Sequence, residues 1–493
     1  MDEYILAIDQ STQGTKGLIF DKNGKLVSRC DRPHAQLIDK RGWVEHDPEE
    51  IYCNTLAVVR DVIEKAKIDK NAILACGISN QRETVVAWNR KTSKPIYNAV
   101  VWQCARGAEI CSRLNRGDFS DRVKTSTGLR LSPYFSAAKL AWILENVEDA
   151  RTMANSGNLC MGTIDSWLVY RLTEGKSFRT DYSNAARTQL FNITSLQWDP
   201  EMCQAFHVPM NCLAEVCSSD SCFGETDFEG YLPHPVPIFG VLGDSNGALF
   251  GQGCLHPGMV KATYGTGSSV MLNIGEKPVF SKDLVTSLAW GMHGQVNYVL
   301  EGNINYTGAV ITWLKNDLHL IDSAHEVQGL AESANADDNT YLVPAFTGLG
   351  APYWDSSATA LITGMTRITG KAEIVRAAEN CIAFQIADIV KRMQEQSGVK
   401  ISELRADGGP TADGYLMQFQ SDILGLPVHA SDVQEISGLG AAYMAGIHAG
   451  LYDEDRIFEQ LKRNSFACKM KQEKRDKMYF GWQKAVKLAL SNN

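Results

Sequence analysis

The chain has 493 residues, a formal net charge of −9, and 44% hydrophobic, 21% charged and 9% aromatic residues. That balance excludes a disordered or fibrous protein, and the acidic surplus argues against nucleic acid as a partner, because a phosphate backbone selects a basic face. The length exceeds what a single core holds, so two large domains are expected.

No apolar run approaches the ~20 residues of a membrane-spanning helix. The start, MDEYILAID, carries acid where a signal peptide carries positive charge. A cytoplasmic protein without membrane insertion is therefore expected. Thirteen cysteines, an odd count without a CxxC pair or zinc spacing, read as reduced packing thiols, with Cys217 and Cys222 the closest pair.

In chain order, EYILAIDQ, TKGLIFD and KLVSRC are short apolar runs separated by the turn signals STQG and KNG, which predicts an antiparallel meander. The first turn, DQSTQGTK (9–16), joins glycine to hydroxyls. It is either an ordinary hairpin or a phosphate cradle with Thr12 as donor. Asp9, at the end of the strand, is either a turn-favouring residue or a ligand that holds Mg²⁺ through water. HDPEEIYCNTLAVVRDVIEKAKI has Asp47 as cap, Pro48 at the first helical position and an apolar stripe, so it predicts an amphipathic helix.

AILACGIS reads as a buried strand, and Arg82 and Glu83 follow it in GISNQRETVVAWN. Neighbours in extended chain point to opposite faces, so a solvated charge pair is the default. Joint binding of neighbouring hydroxyls would require irregular backbone. SAAKLAWILENV predicts a helix. Then PIFGVLG reads as a strand, and GDSNGALFGQ sets Asp244 among small neutral residues at the junction that follows. Asp244 is either a helix cap or a general base.

GMVKATYGTGSSVMLNIG repeats the opening layout of strand, glycine-rich turn and strand, which suggests a duplicated domain around a cleft. Its turn places Thr266 between Gly265 and Gly267 as a second candidate phosphate cradle. The P-loop pattern is absent. A long helix over KAEIVRAAENCIAFQIADIVKRMQEQ follows, with Ile374, Ala377, Ala378, Cys381 and Gln385 near one face. ISELRADGG is then a strand and TADGYLMQFQSDILG a helix, while the Gly/Ala-rich ISGLGAAYMAGIHAG permits close backbone packing.

Taken in order from residue 3 to about 450, the blocks AIDQ, GWVEHDPEEI, SNQRET, KPIYNAVVWQC, SPYFSAAKLAWIL, TDYSNAARTQLFNI, GD, TYGTG, FTGLGAPYWD, DGG and LMQFQSDILG resemble the FGGY family of carbohydrate kinases, and most of all its glycerol-phosphorylating branch. The resemblance implies an α/β fold of duplicated RNase-H-like domains, as in actin and Hsp70. Residues 1–250 would carry polyol binding and the base, and 251–493 the nucleotide. It implies ATP and Mg²⁺, a terminal hydroxyl as acceptor, and a homodimer or homotetramer as the assembly. Asp244 then matches the catalytic aspartate. Arg82, Glu83 and Tyr134 match residues that hold acceptor hydroxyls, and Trp102 one that lines the carbon chain. Thr12 and Thr266 match phosphate contacts, Asp9 a magnesium-site carboxylate, and Gly308 and Gly409 positions beside the nucleotide.

The chain departs from that pattern at four of these places. Ser245 and Ser269 stand for Gln and Phe at the acceptor end, and Thr312 and Asp413 for Gln and Asn near the adenine. The loop that binds a sugar bisphosphate in some bacterial members is not evident in DFEGYLPHPVP. Glycerol is the leading acceptor expected. The alternative is a C4–C5 polyol or ketose such as erythritol, a pentitol or xylulose, and the remote one a non-catalytic actin-like sensor.

Overall fold

A computed structural model describes residues 2–490. The opening meander forms as expected: β1 (Tyr4–Gln10), β2 (Gly14–Asp21) and β3 (Leu26–Pro33) pair antiparallel in succession. Helix α1 (Pro48–Ala66) begins at Asp47, whose carboxylate accepts from the Glu49 amide at 2.8 Å. β4 (Ile73–Asn80) then adds parallel to β1. After helix α2 (Ser136–Asn146), β5 (Glu225–Thr226) and β6 (Val236–Gly243) complete a six-stranded sheet in the order β5-β6-β4-β1-β2-β3. Helix α3 (Asp244–Gly251) leaves directly from the end of β6.

The second half repeats the scheme. β7 (Met259–Tyr264), β8 (Ser268–Gly275), β9 (Val285–Met292) and β10 (Gln295–Ile304) form the antiparallel part, followed by α4 (Gly308–Asn316) and the long α5 (Lys371–Ser397). β11 (Glu403–Asp407) joins parallel to β7. Beyond it, after α6 (Gly414–Leu424), come β12 (Val428–Ser431) and, after α7 (Ile436–His448), β13 (Arg463–Phe466). The seven strands lie in the order β9-β10-β8-β7-β11-β12-β13. An antiparallel meander flanked by parallel strands therefore occurs twice, with the turns 11–13 (Ser-Thr-Gln) and 265–267 (Gly-Thr-Gly) at equivalent places. This is the duplicated RNase-H-like arrangement.

Both faces of the first sheet are covered, which is why β1 reads as a continuous apolar run. Leu6 and Ile8 pack with α1, whereas Ile5 and Ala7 face α3 and α7. Helix α7 comes from the second half of the chain yet packs on β1, β4, β6 and α3 of the first. Its Gly/Ala composition permits that approach. Helix α5 departs from the one-faced expectation: it is buried nearly all round from Ala377 to Val390, wedged between sheet and outer helices. All thirteen cysteines are free thiols, Cys217 and Cys222 included. No helix among the described residues is long and apolar enough to cross a membrane.

Candidate active site

Asp9 near the end of β1, Asp244 just after β6 and Asp407 at the end of β11 each stand at the carboxyl-terminal end of a strand, and Asp9 is near enough to Asp244 for its charge to act there. Asp244 is not the cap of α3. Gly243 holds the cap position, and Asp244 is the first helical residue, its Oδ1 accepting from the adjacent Ser245 amide at 2.6 Å. Its side chain keeps 39% exposure toward the open space. Burial pushes its carboxyl above the ordinary range, opposed by the Arg82 guanidinium and reinforced by the charges of Glu83 and Asp9. Gly243 is required beneath it, since a Cβ there would lie 2.7 Å from the Arg82 stem.

Arg82 and Glu83 are not a solvated pair. They are 5% and 2% exposed, and Glu83 has φ of +61°, the irregular backbone needed for both side chains to serve one place. Arg82 donates to both Glu301 carboxylate oxygens, at 2.7 and 3.0 Å, and its Nε lies 3.4 Å from Asp244 Oδ1. Arg187 donates to Glu83 at 2.5 Å and to Glu301 at 2.8 Å. The result is a chain of alternating charge, Asp244–Arg82–Glu301–Arg187–Glu83, that runs from one half of the protein into the other and back. Burial works against the charge on Glu301, but Arg187 and Arg82 outweigh it and draw its carboxyl down to about 2. Asn246 fastens the same corner, accepting from Arg82 at 3.3 Å and donating to the Leu288 and Ala289 carbonyls of β9.

Arg187 and Glu301 were not assigned roles from the sequence. The signal for Glu301 is a lone carboxylate in the apolar strand QVNYVLEGNI, which burial tolerates only with a paired cation. Arg187 carries no comparable local signal.

The aromatic wall lies beside this network. The Trp102 and Tyr134 rings meet edge to face at 5.5 Å, and Trp102 Nε1 donates to Thr12 Oγ1 at 2.9 Å, linking the first turn to that wall. Ser245 is half-buried next to Asp244. Ser269 Oγ is enclosed without a hydrogen-bond partner, and Thr263 lies across the β7–β8 ladder from it.

On the other side, Gly265 and Thr266 are exposed in their turn, which docks on the start of α4. The Thr266 carbonyl accepts from the Thr307 and Ala309 amides, and the Gly265 carbonyl from Gly308. Thr312 is one turn along α4, its hydroxyl returned to the Gly308 carbonyl. Gly409 opens the short helix after Asp407, and Asp413 caps α6 by accepting from the Leu416 amide at 3.1 Å. Asp9 is 3.4 Å from Lys16, which also pairs with Glu435 at 2.6 Å. Burial raises the Asp9 carboxyl against the pull of Lys16. Among the described residues no three His, Cys, Asp or Glu are grouped to hold a metal.

The models of the FGGY family of carbohydrate kinases match residues 4–251 with the N-terminal domain and 260–449 with the C-terminal domain. The chain belongs to this family. It is therefore a phosphotransferase of the carbohydrate-kinase class. It is 48% identical to glycerol kinase 1 of Thermotoga maritima, over 99% of this chain and 100% of that one, and 47% identical to a glycerol kinase of Caldanaerobacter subterraneus subsp. tengcongensis, over 99% of each. Among solved structures, a Plasmodium falciparum glycerol kinase with ADP aligns over 100% of this chain and 99% of its own, with a TM-score of 0.95 at 37% identity. A xylulose kinase from Lactobacillus acidophilus, at 22% identity and a TM-score of 0.86, shares the fold.

Proposed function

We propose that this chain transfers the γ-phosphoryl group of ATP to a terminal hydroxyl of glycerol, in the cytoplasm. The observation that carries the reading is Asp244, half-buried at a strand–helix junction with its carboxylate partly exposed and flanked by a locked Arg82, in a chain similar end to end to glycerol kinases. Phosphoryl transfer passes through a loose transition state, so an ionised carboxylate that orients the hydroxyl and accepts its proton late is sufficient. In this reading Asp244 Oδ takes that proton. Arg82 donates to, and Glu83 accepts from, neighbouring acceptor hydroxyls, while Trp102 and Tyr134 cover the carbon chain. The first half of the chain carries the acceptor and the base, and the second half the nucleotide.

Thr12 and the Gly265–Thr266–Gly267 turn receive the phosphates, with Gly308, Thr312, Gly409 and Asp413 alongside the nucleoside. Mg²⁺ binding commonly uses one or two carboxylates together with substrate phosphates, so a single carboxylate such as Asp9, 5% exposed and paired with Lys16, without a cage of acids, fits an ion carried in by the nucleotide. When bound, that ion would neutralise β- and γ-phosphate charge. Closure of the two halves around both substrates would exclude water that could otherwise consume ATP.

A coupled assay for ADP release tests this against glycerol, erythritol, the pentitols, xylulose, ribulose and gluconate. Glycerol is expected to give the highest kcat/KM. The small side chains of Ser245 and Ser269 favour a second reading, in which a four- or five-carbon acceptor ranks first. ADP release unaffected by any acceptor would replace both readings with that of an actin-like ATPase.

A further inference from the structure

Lys139 is a buried cation that the proposed chemistry does not use. It lies in the first turns of α2, with no exposed surface, and its Nζ donates to the carbonyls of Tyr134 and of Phe135, the latter at 3.0 Å. A cation at that end of a helix opposes the macrodipole, and burial pushes its ammonium pKa down to about 7. Both effects act against keeping lysine here for the helix's own stability. What the side chain does is tie down the two residues that precede α2. One of them, Tyr134, packs its ring on Trp102. Three positions back, the Ser136 hydroxyl donates to the Glu83 carbonyl at 3.1 Å, at the residue with positive φ. The Ala137 amide donates to the Thr188 carbonyl at 2.8 Å, next to Arg187. One helical turn thus grips three segments that border the acceptor site.

We propose that Lys139 is a positioning residue for the acceptor: with Ser136 it holds the Tyr134 and Glu83 backbones in register, so that the Tyr134 ring and the Glu83 carboxylate address the same small polyol. The proposal rests on the acceptor-site reading above. Lys139 touches neither substrate. Its own contacts are all on the acceptor side, and it reaches the turns assigned to the nucleotide only indirectly, through Trp102 and its bond to Thr12.

The test compares wild type with Lys139→Met, which keeps the stem and removes the donors, and Lys139→Gln, which keeps one amide donor group. Steady-state constants are measured separately for glycerol and for ATP, with a thermal melt of each variant. Loss of uniform acceptor binding raises KM and spares kcat, so Lys139→Met is expected to raise the glycerol KM about tenfold while kcat and the ATP KM move less than about threefold. Lys139→Gln should fall between the two, and it carries the comparison if the Met variant does not fold. Equal rises in both KM values, or a lowered melting temperature with neither KM changed, would overturn the positioning role and leave only a structural one. A wild type without glycerol-dependent ADP release would overturn the acceptor reading itself, and this proposal with it.

Discussion

At Asp244 two effects oppose each other: burial favours the neutral acid and the Arg82 guanidinium favours the carboxylate, with burial the larger. A base whose pKa is raised stays protonated to a higher pH than an ordinary aspartate. Turnover should therefore fall on acidification along a limb that lies above the usual carboxylate range near 4, read from kcat against pH. Asp244→Asn keeps the shape and cannot take a proton, so kcat should drop by ~10²–10⁴ with acceptor and nucleotide binding retained. More than a tenth of wild-type turnover, with chemistry rate-limiting, would remove Asp244 from the role. Ser269 presents the opposite case. Its hydroxyl is enclosed and unpaired, and such a group costs ~1–3 kcal/mol. Ser269→Ala should therefore melt at the same temperature as wild type or higher, with the acceptor KM unchanged. A raised acceptor KM would instead make this hydroxyl a substrate contact.

Helix α3 places Asp244, and helix α7 places α3. A Cβ on Gly440 of α7 would lie 1.9 Å from the Gly247 carbonyl, closer than any side chain tolerates. Gly440→Ala should force the helices apart, lowering both the melting temperature and kcat, because the displaced helix begins with Asp244, the proposed base. The matched control is Gly329, in the helix Glu326–Ser333, where nothing lies within 4 Å of an added Cβ. Gly329→Ala should stabilise by ~0.5–1 kcal/mol through helix propensity alone. Equal effects of the two substitutions would refute the close-approach account. These elements also mark how far the sequence could be read. The two hairpins and the α1 cap were legible because glycine turns and Asp-Pro starts are local signals. The docking of α7 on the first sheet was not, because its partners lie about 190 to 430 residues earlier and only its small-residue composition hinted at contact.

Across the whole molecule, the site follows the same division. Asp244, Arg82 and Glu83 were singled out through strand–turn junctions and family resemblance, yet the buried character of Arg82 and Glu83 was missed, since it depends on Arg187 and Glu301 more than 100 residues away. Glu301 is the only carboxylate of that chain supplied by the second half, and it pairs with two arginines of the first. Its pKa of about 2 lies below the 4.5 of an ordinary glutamate, so its stabilisation is complete above 4.5 and is lost as pH falls toward 2. Glu301→Gln keeps the size but leaves Arg82 and Arg187 buried without their shared carboxylate, which costs ~3–5 kcal/mol when one partner of a buried pair is removed. The variant should unfold at lower denaturant at neutral pH, with the deficit shrinking between pH 4.5 and 2. Arg82, released from Glu301, would turn more fully to Asp244 and lower its pKa, so the acid limb of kcat should move to lower pH than in wild type. Glu301→Asp, which retains the charge, should recover part of the stability and return the limb toward its original place. If Glu301→Gln were as stable as wild type and its acid limb unmoved, the charge chain would neither join the two halves nor set the base.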